Sequence, residues 1–159
     1  MFAIGGGELR TGETLTFDQQ IVAFTGQIGP RALFVPTASG DSEGYWQAFS
    51  AVYGRQLGCT TEVLRLLTDP ADAAAAAGKI GNADLIYVGG GNTLRMLEVW
   101  RRLGVDRLLE QAAGCGQVLC GLSAGALCWF RFGNSDAPML EGRSGIRTMR
   151  VDGLGLVDA

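Results

Sequence analysis

Residues 118–130 read VLCGLSAGALCWF. Residues 117–121 form a strand-like run. Gly121, Leu122, Ser123, Ala124 and Gly125 follow, and then a run with helical character from 124 to 132. The five central residues match G-x-S-x-G, in which a serine sits on a tight strand-to-helix turn. Ala124 and Gly125 are small, so a helix can start against a sheet without a clash. The pattern alone is weak evidence, because a chain with 25 glycines produces it by chance often enough to matter. Two readings therefore stay open: a nucleophilic serine, or a serine that only caps the helix after it. The chain contains no histidine, the residue that ordinarily takes the serine proton.

Working outward, apolar runs alternate with helical patterns. Strand-like runs lie at 2–4, 32–35, 61–67, 84–88 and 117–121. Helical spacing covers 17–25, where Phe17, Ile21 and Phe24 share a face, and then 45–57, 72–80, 93–102 and 105–113. Strands that alternate with helices predict an α/β fold, a parallel sheet with helices on both faces. Ligands in such sheets bind beyond the carboxyl ends of the strands. Three loops at those ends stand out: Gly5, Gly6 and Gly7; residues 89–92; and residues 122–125. After Phe132 the alternation stops. Residues 133–144 are rich in turn formers, and 146–151 read as a further strand.

The composition narrows the function classes. The 159 residues are 47% hydrophobic, which suits one α/β domain over residues 1–159. The net charge is −3, and Arg101 and Arg102 form the only adjacent basic pair, so a nucleic-acid partner is not expected. No apolar run has the length of a membrane span, and the start MFAIGGGELR lacks the features of a signal peptide. A cytoplasmic location is the expectation. Cys59, Cys115, Cys120 and Cys128 form no C-x-x-C pair and are expected as small buried hydrophobes. No metal and no cofactor is expected. The stretch YVGGGNTLRML, residues 87–97, could cradle a phosphate at a helix start. It lacks the lysine of a phosphate-binding loop, and Lys79 is the only lysine in the chain.

Taken together, YVGGGNTLRML, LCGLSAGALCWF, FVPTASGDSEGYW and the closing GLGLVDA resemble the peptidase E family of serine dipeptidases, over essentially the whole chain and in order. The resemblance implies a glutamine-amidotransferase-like α/β fold and hydrolysis of dipeptides with an N-terminal aspartate. It implies Ser123 as nucleophile, the Gly90 and Gly91 region with Ala124 as oxyanion hole, and Asn92 at the substrate site. Asp136 matches an acidic position of the triad. In the family the catalytic histidine follows the GLGL-type segment within a few residues, whereas this sequence stops at Ala159. The resemblance thus covers the N-terminal two-thirds of such an enzyme, and the domain is expected to be incomplete at its C-terminus. Three accounts follow: a second polypeptide that completes the fold and brings the histidine, an inactive fragment, or a non-catalytic binding module of the same fold.

Overall fold

The computed structural model describes residues 1–68, 72–140, 142, 145 and 147–158. Strands β1 (Phe2–Ile4), β2 (Arg31–Val35), β3 (Thr60–Val63), β4 (Leu85–Val88) and β5 (Val118–Leu122) form one five-stranded sheet in the order β1-β5-β4-β2-β3. Every pairing is parallel: Phe2 lies opposite Cys120, Ala32 opposite Leu85 and Tyr87 opposite Cys120. The central strands are buried on both sides, which is why they read as continuous apolar runs.

Alternate residues feed two cores. Leu33, Val35, Ile86, Val88 and Leu119 pack with helices α3 (Ala73–Asn82), α4 (Thr93–Leu103) and α5 (Val105–Gly114). Ala32, Phe34, Leu85, Tyr87 and Cys120 face the other way. They meet α1 (Leu15–Phe24), α2 (Glu43–Phe49) and the π-helical segment Ser50–Gln56 that continues α2. There Phe49 stacks on Phe34 at 4.7 Å and on Tyr53 at 4.4 Å between ring centroids. The expected parallel sheet with helices on both faces is what the chain forms.

Several elements differ from the sequence expectation. In α1 only Ile21 of the proposed face is buried; Phe17 and Phe24 are exposed. The inward polar position is Asp18, whose carboxylate accepts hydrogen bonds from the Tyr53 and Thr14 hydroxyls, both at 2.8 Å. An apolar-only count misses a helix face anchored by a carboxylate. β3 ends at Val63, four residues early, because Asp41 Oδ2 accepts the N–H groups of Leu66, Leu67 and Thr68 and turns the chain out of the sheet. Cys115 is exposed, against the expectation, while Cys59, Cys120 and Cys128 are buried.

The largest difference follows Ser123. The helix there, α6 (Ala124–Leu127), spans a single turn rather than running to 132. The returning tail takes the backbone that a longer helix would use. Leu154 N–H donates to Cys128 O, Val157 N–H to Trp129 O and Gly155 N–H to Phe130 O. A Cβ on Gly153 would stand 2.2 Å from Phe130 O, so only glycine fits. Residues 133–144 are likewise not all turn. β6 (Phe132–Ser135) pairs antiparallel with β7 (Met149–Asp152), and α7 (Ala137–Leu140) lies between them. The start of the expected strand at 146 and the chain end at 159 lie outside the described residues.

Candidate active site

Ser123 stands at the carboxyl end of β5 with φ 54° and ψ −111°. A residue with a Cβ pays roughly 1–3 kcal/mol for such backbone, so the surroundings must enforce it. They do so through the main chain. Ser123 N–H donates to Ile4 O at 2.8 Å, and Ser123 O accepts from Ala126 and Leu127 N–H, both at 2.9 Å. The two motif glycines have the same origin. A Cβ on Gly121 would lie 2.1 Å from Gly125 O, and one on Gly125 would lie 2.1 Å from Val88 O. β4, β5 and α6 touch backbone to backbone here, and the chain turns sharply enough to leave the serine exposed. Its side chain makes no capping hydrogen bond to α6. That removes the capping explanation for a serine at this position.

The loop after β4 lies directly against this turn. A Cβ on Gly90 would be 3.3 Å from Ser123 Cβ and 3.3 Å from Leu122 O. Gly91 has φ 139°, and a Cβ there would be 2.2 Å from Ala38 O. Asn92 N–H donates to the same Ala38 oxygen at 2.8 Å, so the segment after β2 fixes the glycine loop. Asn92 Oδ1 accepts from Arg95 N–H at 2.9 Å and caps α4. Gly90 N–H donates to the Tyr45 hydroxyl at 3.4 Å, a long bond. Burial raises the Tyr45 pKa above its ordinary value, so this hydroxyl keeps its proton. Cys120, three residues before Ser123, is fully buried, and desolvation holds its thiol well above the ordinary value. It is strand core and no nucleophile, as expected.

Ser123 separates two hollows. One, of about 370 Å³, is lined by the charged Glu8 and Arg10 together with Ser42, Tyr45, Gly90 and Leu122. The other, of about 320 Å³, is apolar and lined by Ala3, Gly5, Ala126, Leu127 and Phe130. The structure thus brings Gly90, Ala124 and Ser123 together, with Gly91 and Asn92 just behind. Asp136 is exposed ahead of α7, where its carbonyl accepts from Met139 N–H at 2.8 Å; it lines neither hollow. Glu8, Arg10, Ser42 and Tyr45 were not singled out in the sequence. The signal was available for two of them, since GGGELR lies at the carboxyl end of the first strand, where ligand loops are expected.

The site is thus a parallel α/β sheet that ends in a strained serine turn beside a glycine loop. The sequence matches peptidase family S51 over residues 1–159, and the chain belongs to that family. It is 39% identical over 133 residues to the uncharacterized peptidase YgaJ of Bacillus subtilis strain 168, covering 84% of this chain and 56% of that one. It is 34% identical over 104 residues to the uncharacterized peptidase Lmo0363 of Listeria monocytogenes, covering 62% and 48%. The chain therefore spans about half the length of these relatives. Among solved structures, a candidate peptidase E protein from Listeria monocytogenes EGD-e superposes with a TM-score of 0.67 at 27% identity, over 89% of this chain and 72% of that one. A peptidase from an acI-B1 actinobacterium has the same fold, with a TM-score of 0.74 at 21% identity over 98% and 63%.

Proposed function

We propose that this chain is the nucleophile-bearing part of a serine peptidase that hydrolyses dipeptides with an N-terminal aspartate. One observation carries the reading: Ser123 is held at φ 54° on a turn whose two glycines admit no Cβ, with an exposed side chain that does not cap its helix. In this reading the turn is a nucleophile elbow. Ser123 Oγ attacks the main-chain carbonyl carbon of the aspartyl residue. Its proton passes to a histidine supplied from outside these 159 residues, and then to the leaving amine as the C–N bond breaks. Water releases the acyl group and restores the serine. Asp136 orients the histidine. The N–H groups of Gly90 and Ala124 receive the oxyanion, Gly91 lets the loop approach, and Asn92 fixes the loop at the substrate. Because Tyr45 accepts from Gly90 N–H, an oxyanion enters by displacing that hydroxyl. Removing one such donor typically costs about 100–1,000-fold in turnover.

The test uses the chain assembled with the polypeptide that carries the histidine. Asp-Ala should be hydrolysed, and an aspartyl phosphonate ester should label Ser123. Ser123→Ala should lose both with a nearly unchanged melting temperature. Hydrolysis that survives in Ser123→Ala overturns the reading. A folded assembly that neither labels nor hydrolyses favours a binding module.

A further inference from the structure

The hollow beside Ser123 that Tyr45 lines carries two side chains of opposite charge. Glu8 and Arg10 both line it, and among the described residues neither makes an ion pair. The loop that holds them is ordered by its own bonds. Glu8 N–H donates to Glu13 Oε2 at 3.1 Å, Arg10 N–H to Glu8 Oε1 at 3.1 Å, and Thr11 Oγ1 to Glu8 O at 3.1 Å. Leu9 is buried between the two exposed charged residues and anchors the loop. Arg10 Nη2 reaches Gly44 O at 3.5 Å, at the start of α2. The guanidinium therefore reaches toward α2, and among the described residues that carbonyl is the one acceptor its side chain meets.

We propose that Glu8 and Arg10 recognise the two charges of the residue whose carbonyl Ser123 attacks: Glu8 takes the free α-ammonium, and Arg10 takes the side-chain carboxylate. The assignment rests on the peptidase reading and supplies its specificity. The hollow offers one anion and one cation on one short loop, and an N-terminal aspartate offers one cation and one anion on one residue. An arginine at a carboxylate forms charge-assisted, often bidentate bonds, which an uncharged amide side chain cannot match. Across Ser123 the hollow of Ala3, Gly5, Ala126, Leu127 and Phe130 has no charged group. It suits the side chain of the leaving residue. The difference in polarity sets which way the dipeptide lies.

Binding needs no histidine, so the test uses the 159-residue chain itself. NMR titration with Asp-Ala, Asn-Ala and N-acetyl-Asp-Ala measures each affinity. Asp-Ala should bind about tenfold tighter than Asn-Ala, the difference of one charge-assisted contact. Arg10→Gln should erase that preference, and Arg10→Lys should restore part of it. Glu8→Gln should erase the preference for Asp-Ala over its N-acetyl form. Both residues are exposed, so the variants should keep the wild-type melting temperature. A folded Arg10→Gln chain that still prefers Asp-Ala overturns the assignment, as does a wild-type chain that binds none of the three. Phosphonate labelling of Ser123 in the assembled protein then tells whether the peptidase reading survives that loss.

Discussion

Ser123 shows how much a single backbone conformation can decide. Its φ of 54° is imposed by Ile4, Gly121, Gly125 and Val88, none of which acts chemically. Ser123→Gly should therefore be more stable than Ser123→Ala, by about 1 kcal/mol, because glycine relieves the strain that alanine keeps. Urea unfolding of the two variants measures the difference, and equal midpoints would mean that the turn is not strained. The turn was legible in the sequence because glycine, serine and glycine at fixed spacing record steric demands. The residues that complete the hollow were not. Tyr45 arrives from α2 and Arg10 from the loop after β1, and no local pattern tells which exposed side chains converge on one point.

At the level of elements, α1 is held by a hydrogen-bonded carboxyl group rather than by an apolar stripe. Asp18 is fully buried, and burial raises its pKa above the ordinary value of 3.8, against the lowering effect of its bonds to Tyr53 and Thr14. The sign follows. A carboxyl whose pKa rises on folding adds stability below its unfolded value, and that contribution is lost as pH climbs through the folded value. Asp18→Asn should thus gain stability over the wild type at about pH 8, and the gap should close toward about pH 4. Denaturation at both pH values checks this, and parallel curves would remove Asp18 from the pH response. The sequence pattern placed α1 within two residues yet misread its inward face, because periodicity counts apolar residues only. The short α6 was beyond such reasoning altogether, since what stops it is a tail more than 20 residues further on.

At the scale of the molecule, alternation alone announced the parallel sheet, and the strand order β1-β5-β4-β2-β3 came only from the structure. In the proposed mechanism the proton acceptor is a histidine, and residues 1–159 contain none. Alone, the 159 residues should turn over Asp-Ala about four to six orders of magnitude more slowly than the assembled peptidase. Adding a polypeptide that continues the family pattern with its histidine should restore the rate, and replacing that histidine by alanine should abolish it. Full activity from the isolated chain, with mass spectrometry finding no second polypeptide, would refute the two-part mechanism. The seating of β1 beside β5 also has a consequence in time. Ile4 leaves the ribosome more than a hundred residues before Ser123, yet the N–H that its carbonyl receives belongs to Ser123. β1 must wait for its partner β5 while β2, β3 and β4 are made, and long-range pairing of this kind is slow. The serine turn is thus set only when an older segment of the chain closes on a newer one.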